Sequence, residues 1–272
     1  MSVIVPAIDP STIAGLIEAN INDYLLSYAR LPGAVLHDDA ESAWVEARLA
    51  GSTFNAIVRA RFQPDRIDQQ IDAVLAHFRS RAVPVVWHVG PSSEPAALGD
   101  ALLRHGFTFA EEEPGMALDI AQMIAPVATP TELTIEPVVD EAGLRDWIDT
   151  WLFRVPPAER AAQFEARRTR WLEAERPMHC FLGKWNGTPV GTSMLYLGQG
   201  VAAVHHVVTR PEFRRRGIGS ALTVRVLHEA RARDYHVGVL TASPEGIGSY
   251  RRVGFRAYCT IRRYEWAPAN QP

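Results

Sequence analysis

The sequence contains little cysteine, a single lysine and no long apolar segment. Its two cysteines, Cys180 and Cys259, are too few for a disulfide framework or a four-cysteine zinc site. No apolar run approaches the roughly 18 residues that a membrane-spanning helix requires. The first residues also lack the basic start and apolar stretch of a secretory signal. We therefore expect a soluble protein of the reducing cytoplasm that has no membrane partner.

The composition is that of a globular protein with one large domain or two ordinary ones. The chain has 272 residues, of which 47% are hydrophobic and 22% are charged, which excludes a disordered tail or a fibrous repeat. Prolines 126, 130 and 137 interrupt any helical pattern between residues 120 and 137. Such a segment is typical of a linker. The sequence therefore predicts two domains, residues 1–128 and 129–272.

Charge is distributed unevenly along the chain. The formal net charge is -3, but residues 1–129 carry 8 arginines against 16 acidic residues, and from His205 onward there are 12 arginines against 5 acidic residues. A local basic excess favours a polyanionic ligand for the last third of the chain. Nucleic acid is the weakest such candidate, because no basic stripe interleaved with aromatic residues is present.

The second half of the sequence alternates between strand and helix patterns. The turn Asn186-Gly187-Thr188-Pro189 joins two strand patterns and is typical of a hairpin. The order predicts a mixed α/β (α+β) sheet with helices on its faces, with strands at Leu133–Pro137, His179–Trp185, Val190–Leu197, Val201–Thr209, Val237–Thr241 and Phe255–Trp266, and helices at Glu141–Phe153, Ala158–Glu175, Ile218–Arg233 and Gly246–Arg252. The first half ends in a similar order, which indicates a weak internal duplication.

The strongest motif follows the valine-rich strand and reads Thr209-Arg210-Pro211-Glu212-Phe213-Arg214-Arg215-Arg216-Gly217-Ile218-Gly219-Ser220. Glycines let backbone N–H groups approach a ligand, and the start of a helix adds partial positive charge. Arginines can bind phosphate in a bidentate manner. The motif is neither a Walker loop nor a dinucleotide fingerprint, because the lysine of the first and the third glycine of the second are missing. The alternative is a solvated arginine turn that begins a helix.

Two motifs at a characteristic separation identify a family resemblance. The pattern Arg214-x-x-Gly217-x-Gly219 resembles the acetyl-CoA signature of the GNAT superfamily, the GCN5-related N-acetyltransferases. Downstream, Tyr250-x-x-x-Gly254-Phe255 resembles a second element of that superfamily. The resemblance covers residues 131–266, and the first half looks like a degenerate copy. The whole chain thus resembles the tandem-GNAT proteins, with two domains that are each a mixed, mostly antiparallel sheet flanked by helices.

The resemblance implies a binding site for acetyl-CoA. Backbone groups of the fourth strand of the domain would hold the pantetheine arm, and the following loop would bind the pyrophosphate. Tyr250 would protonate the leaving thiolate. Ser243 stands where many members have an asparagine that contacts CoA, and its shorter side chain reaches less far. The implied cofactor-binding residues are Val207, Val208, Thr209, Arg214, Arg215, Arg216, Gly217, Ile218, Gly219, Ser220 and Ser243.

The acceptor side of such a reaction needs a base, because an ammonium group cannot attack a thioester. A histidine titrates near neutral pH and is suited to this task. Strand alternation predicts that His205 and His206 face opposite sides of the sheet, so at most one would face the reaction centre. Many superfamily members use a glutamate on this strand, where this chain has Ala203. We favour His205 as the base. The alternatives are His206, a water molecule, or a purely structural role for His205.

The implied reaction is the transfer of an acetyl group from acetyl-CoA to an amine by direct attack in a ternary complex, with no metal. The acceptor would be a small-molecule or peptide amine, and the chain would be a monomer or a homodimer. The first half would bind no cofactor, because Phe62–Asp68 lacks the glycine pair and Leu102 replaces the tyrosine. The competing interpretation is a non-catalytic CoA-binding sensor or interaction module that retains the fold.

Two side-chain groups on the predicted helices of the second half are ambiguous. Trp147, Trp151 and Phe153 lie at helical spacing, which favours core packing, although this region lines the acceptor site in the resembling fold. The run Arg167-Arg168-Thr169-Arg170 is typical of a solvated helix surface.

Overall fold

The computed structural model describes residues 3–47, 54–124, 129–171 and 177–268, apart from the side chains of Thr169 and Arg170. The chain divides into two compact units. The larger unit comprises Met1–Ile13 and Met116–Ala257, and the smaller unit comprises Ala14–Gly115 and Tyr258–Pro272. Within the described ranges, no helix combines the length and apolar character needed to cross a bilayer.

The smaller unit is a mixed sheet with helices packed on it. Its strands follow the order β1-β2-β3-β4-β11-β5. Ile57, Leu75, Phe78 and Trp87 lie at the centre of its core and are fully buried. Its elements are α1 Ile13–Leu26, β1 Val35–Asp38, β2 Ser42–Glu46, β3 Asn55–Ala60, α2 Ile67–Arg81, β4 Val85–Val89, α3 Leu98–Arg104, β5 Thr108–Asp119 and β11 Arg256–Trp266.

The larger unit repeats this arrangement with longer strands. Its strands follow the order β5-β10-β9-β8-β7-β6, and its core includes Phe181, Leu195, Leu227 and Phe255. Its further elements are β6 Leu133–Pro137, α4 Glu141–Trp151, α5 Pro157–Trp171, β7 Met178–Trp185, β8 Thr188–Gly198, β9 Val201–Thr209, α6 Ile218–Arg231, β10 Val237–Thr241 and α7 Ile247–Val253. The pairing of β9 with β10 is parallel, and β6–β7, β7–β8 and β8–β9 are antiparallel.

The two units are interleaved in the sequence, whereas the predicted domains 1–128 and 129–272 are contiguous. The division into units falls within β5, between Gly115 and Met116, and within β11, between Ala257 and Tyr258. In the smaller unit β11 pairs with β4 from Val85 to Val89. Residues 125–128, at the predicted boundary, lie outside the described residues. The boundaries between the compact units thus differ from the predicted boundary after residue 128. The reason is that β5, the last strand of the first half, and β11, the last strand of the second half, each contribute residues to both units.

Local sequence explains how several elements of the larger unit begin and turn. Asn186 and Gly187 both have positive φ, at 46° and 82°, as a tight two-residue hairpin turn requires. The Asp140 carboxylate accepts a hydrogen bond from the Gly143 N–H at 2.8 Å, which satisfies one of the free donors at the start of α4. The hairpin predicted from the turn at Asn186 and Gly187 is therefore present.

A pair of glycines lets α6 approach the sheet closely. Gly183 and Gly191 are opposite each other on β7 and β8, and the buried Leu222 of α6 lies over them. A Cβ atom on Gly191 would lie 2.9 Å from a Leu222 methyl group and 3.0 Å from the Val208 carbonyl oxygen. The second contact is with backbone of β9, so it cannot be relieved by a side-chain rotation.

We predict that Gly191→Ala lowers the free energy of unfolding by about 1–3 kcal/mol, because the added methyl group overpacks the contact between α6 and the sheet. Gly248→Ala is the control, since a Cβ there meets only the end of the Arg252 side chain at 3.6 Å. Chemical denaturation measures both. Equal stability of Gly191→Ala and the unsubstituted protein would contradict the close packing of α6.

Candidate functional site

The parallel strands β9 and β10 separate after a short ladder. Their paired residues are Gly238 with Ala202 and Val239 with Ala203, while β9 continues to Thr209. After Ala203, therefore, β9 forms no further ladder pairs with β10, and the edge of β9 on that side is open. Separation of two parallel strands leaves a cleft at their carboxyl ends, which is where open α/β sheets bind ligands.

A cavity of about 820 Å³ occupies this place. Most of the residues that the sequence assigned to cofactor binding lie together around it, although they come from a strand end, two loops and a helix. These are Val207, Val208, Thr209, Arg214, Arg215, Gly217, Ile218, Gly219, Ser220 and Ser243. Tyr250, predicted as the acid, also lines the cavity.

The start of α6 gives this cavity an anion-binding wall. Gly217 precedes the helix with φ 77° and makes no side-chain capping bond, so its conformation favours glycine. The first N–H groups of a helix have no partner within the helix and carry partial positive charge. A Cβ on Gly219 would lie 3.8 Å from Val207, so this residue tolerates a methyl group.

The charges that line the cavity are mostly positive. Four arginines and one glutamate line it: Arg154, Arg214, Arg215, Arg252 and Glu245. Together with the helix start, this excess favours a ligand with several negative charges, such as a pyrophosphate.

Arg216 departs from the prediction made for the loop. Its guanidinium carbon lies 5.1 Å from the ring centroid of Trp185 and 5.3 Å from that of Phe213, and Arg216 is not among the lining residues. It lies between Arg215 and Gly217, which both have positive φ. The aromatic faces hold the Arg216 guanidinium, so within this loop Arg214 and Arg215 supply the positive charge at the cavity.

A bulge in β9 overturns the predicted alternation of the two histidines. The pairing with β8 shifts between Thr192 and Met194, and His206 has φ 51°. A bulge inserts an extra residue, so neighbouring side chains no longer alternate strictly. The ring centroids of His205 and His206 are 6.0 Å apart. The prediction that alternation separates the two rings is therefore wrong.

The surroundings of the two histidines differ. The His205 ring lies 6.3 Å from that of Tyr196, and the His205 Nε2 atom is out of contact with solvent. The His206 ring packs 4.2 Å from Trp151 and 5.8 Å from Trp147. Neither histidine lines the cavity itself, although both directly precede Val207, which does.

Burial keeps both imidazoles neutral. Loss of solvation lowers the pKa of His205 to about 4. It also lowers the pKa of His206 well below its ordinary value, with further contributions from the charges of His205 and Arg167. A neutral imidazole has a lone pair available to accept a proton.

Tyr250 and Ser243 approach the cavity from the side of β10 and α7. Tyr250 lies on α7, and its ring packs edge-on against Phe255 at 6.0 Å. The Ser243 hydroxyl accepts a hydrogen bond from the Gly246 N–H at 3.3 Å. The side chain that replaces the usual asparagine therefore also supports its own loop.

Several lining residues were not assigned to the cavity from the sequence. Phe153 was predicted to pack in the core, whereas Arg154, Phe213, Glu245 and Arg252 were not singled out. Glu245 follows Ser243 closely in the sequence, and Arg252 is two residues after Tyr250, so adjacency to the motifs was the available signal. Arg154 has no such signal, because it comes from the connection after α4.

The predicted solvated surface at Arg167 is wrong. Arg167 has 0% exposure, donates to the side chain of Gln163 and lies over the rings of Trp171 and Trp151 at 5.3 and 5.8 Å. Aromatic faces and a side-chain amide compensate for the lost hydration of the guanidinium. The predicted core role of Trp147 agrees with its complete burial.

In the smaller unit β3 and β4 also pair at only two positions, Ala56 with Val86 and Ile57 with Trp87, but the segment that follows β4 bonds to the end of β3. The Glu94 N–H donates to the Ala60 carbonyl oxygen at 2.8 Å, and the Phe62 N–H donates to the Glu94 carbonyl oxygen at 3.0 Å. The carboxylate of Glu18, which is 4% exposed, accepts the Ser92 N–H at 2.8 Å beside these strands, and burial raises the pKa of Glu18. Backbone bonds and a carboxylate thus occupy the position where the larger unit has its cleft.

The chain is similar to acetyltransferases in sequence and in fold. Residues 143–255 match the Acetyltransferase (GNAT) family. A GCN5-related N-acetyltransferase from Kribbella flavida is 17% identical, with a TM-score of 0.71 over 93% of this chain and 96% of that chain. A GCN5-related N-acetyltransferase from Sphaerobacter thermophilus is 18% identical, with a TM-score of 0.60 over 98% and 96%.

A tandem GNAT protein from the clavulanic acid biosynthesis pathway has the same extent as this chain. It is 12% identical, with a TM-score of 0.61 over 98% of this chain and 99% of that chain. No curated protein sequence matches the chain. The predicted resemblance to the GNAT superfamily and its tandem members, and the predicted mixed α/β fold, are confirmed.

We predict that the imidazoles of His205 and His206 remain neutral when the pH is lowered from 7 to 5, because both pKa values are depressed in the folded protein. The unfolded chain binds these protons near pH 6.5, so the free energy of unfolding should fall as the pH drops from about 6.5 toward 4. Imidazole ¹⁵N shifts, assigned with His205→Gln and His206→Gln, measure the titration. A midpoint near pH 6.5 for either ring would refute the assignment for that residue.

Proposed function

Because residues 143–255 match the Acetyltransferase (GNAT) family, we propose that the chain is an N-acetyltransferase that transfers the acetyl group of acetyl-CoA to an amine. The observation that carries this proposal is the cavity between β9 and β10. It brings an anion-binding helix start, a strand edge without a ladder partner on β10, and a tyrosine hydroxyl group to one place.

Two parts of acetyl-CoA, its pyrophosphate and its pantetheine arm, are assigned to residues around the cavity. Arg214, Arg215 and the first N–H groups of α6 bind its pyrophosphate. The edge of β9 from Val207 to Thr209 holds its pantetheine arm by backbone hydrogen bonds. When bound, acetyl-CoA supplies an acetyl thioester that an amine can attack.

Proton transfer is assigned to two side chains. His205 would accept the proton of the acceptor ammonium group, directly or through water, and its imidazole is neutral at pH 7. Tyr250 donates its phenolic proton toward the sulfur. His206 is assigned a packing role between the tryptophans, consistent with its short distance to Trp151.

The acceptor is a small-molecule or peptide amine, and the reaction takes place in the cytoplasm. Phe153 and Arg154, which come from the connection after α4, line the cavity. The smaller unit is assigned no cofactor of its own, since the Glu94 backbone bonds to Ala60 and Phe62 at the end of β3, where a cleft would open.

We predict that Gly219→Asp abolishes acetyl-CoA binding, because the new carboxylate stands at the start of α6 and repels the pyrophosphate. Gly219→Ala is the matched control and should retain binding, since a Cβ there has only ordinary contacts. Isothermal titration calorimetry with acetyl-CoA measures both. One site per chain is expected for the unsubstituted protein.

Each other result of this titration has a definite meaning. Two sites per chain would show that the smaller unit also binds the cofactor. Unchanged affinity in Gly219→Asp would place the pyrophosphate elsewhere. If the unsubstituted protein does not bind acetyl-CoA, the proposed function is wrong.

We predict that Tyr250→Phe lowers kcat by about 100-fold with little change in the KM for acetyl-CoA, because the variant keeps the ring and loses only the proton donor. Tyr235→Phe, which removes a hydroxyl group from a tyrosine outside the cavity, is the control. Steady-state kinetics over a set of amines measures kcat. An unchanged rate in Tyr250→Phe would remove the acid role.

The same assay distinguishes the two histidines. His205→Gln should reduce kcat while acetyl-CoA binding persists, and His206→Gln should retain most of the rate. A loss confined to His206→Gln would transfer the base role to that residue. Binding of acetyl-CoA without turnover on any amine would favour the non-catalytic sensor instead.

A further inference from the structure

The mouth of the cavity carries an ion pair that joins its two walls. Arg214 lies in the loop between β9 and α6, and Glu245 lies in the loop between β10 and α7. Their side chains meet at 3.3 Å, between the guanidinium Nη1 and the carboxylate Oε2. The Nε atom of Arg214 also donates to the carbonyl oxygen of Thr209 at 3.3 Å. The guanidinium therefore links the end of β9 to the loop after β10.

This arrangement is unfavourable for a ligand with a pyrophosphate. Glu245 is the acidic member of a lining set that otherwise carries four arginines, and it neutralises one of the two arginines of the loop before α6 that line the cavity. Its side chain is 81% exposed and that of Arg214 is 43% exposed. Exposed ion pairs contribute little to stability and are readily exchanged. A polyanion can therefore displace the carboxylate from the guanidinium.

We propose that Glu245 is a competing counter-ion that holds Arg214 across the cleft in the absence of ligand and is displaced when the CoA pyrophosphate binds. This inference rests on the proposed function of the cavity. The ion pair between Arg214 and Glu245 must break each time CoA binds. Glu245 therefore weakens the affinity for CoA and accelerates release of the product CoA. Glu245 thereby sets the affinity of the site without contacting the reacting atoms.

The test compares Glu245→Gln with Glu212→Gln. Glu212 is an exposed glutamate in the connection between β9 and α6 that does not line the cavity, so its substitution removes the same charge without touching the ion pair. At low ionic strength, Glu245→Gln should raise the affinity for CoA by roughly three- to tenfold and slow its release, and the gain should shrink at high salt. Calorimetry and stopped-flow displacement measure these quantities with CoA as the probe.

Two further measurements separate the ion pair from a general charge effect. Acetyl-pantetheine has no phosphate, so its affinity should be the same for Glu245→Gln and the unsubstituted protein. In an Arg214→Ala background, Glu245→Gln should no longer raise CoA affinity as much, since the carboxylate then has no guanidinium to occupy. The non-additivity of the two substitutions reports the coupling between them.

The outcomes that overturn the inference are distinct from those that overturn the proposed function. Equal gains in Glu245→Gln and Glu212→Gln would indicate a long-range field, and a lower CoA affinity in Glu245→Gln would mean that Glu245 instead positions Arg214 for the ligand. A full gain in the Arg214→Ala background would mean that the carboxylate acts without the pair. Failure of the unsubstituted protein to bind CoA would instead refute the proposed function.

Discussion

The site depends on the early separation of two parallel strands. Parallel strands normally pair along their length, because every unpaired backbone group in a sheet loses a hydrogen bond. In the larger unit β9 and β10 pair at Ala202 and Ala203, and β9 then continues to Thr209 with a ladder partner on β8 and none on β10. This open strand edge and the helix start that follows it are backbone features, so side-chain substitutions alter them little.

Comparison of the two units shows how the same order of elements yields a cleft in one and none in the other. In the smaller unit, one residue, Glu94, makes backbone hydrogen bonds to both Ala60 and Phe62, at the end of β3. Phe62 and its neighbours supply no glycine pair, so no anion-binding loop replaces those bonds. A buried carboxylate, that of Glu18, further disfavours an anionic ligand there. The difference thus lies in two hydrogen bonds and one charge, while the framework is shared.

Much of the larger unit and its cavity could be predicted from the sequence, because the signals are local. β9 was predicted with its observed bounds, since a valine-rich run is followed directly by a turn with glycines. The bulge at His206 could not be predicted, because a histidine with positive φ carries no sequence signature and depends on the pairing with β8. The inward packing of Arg167 and the stacking of Arg216 on Trp185 depend on aromatic residues that are distant in sequence. The interleaving of the units required knowledge of strand partners that lie far apart along the chain.

That interleaving affects how the protein is made. The larger unit is assembled from the first residues and from residues 116–257, and Val5 donates a hydrogen bond to Gly200. The smaller unit acquires its strand β11 only from residue 258 onward. During synthesis neither unit has all its strands until most of the chain has left the ribosome, and contacts between such distant residues form slowly. The nascent chain therefore exposes unpaired strand edges until its last strand has been synthesised, which makes the incomplete chain more prone to aggregation than the finished fold.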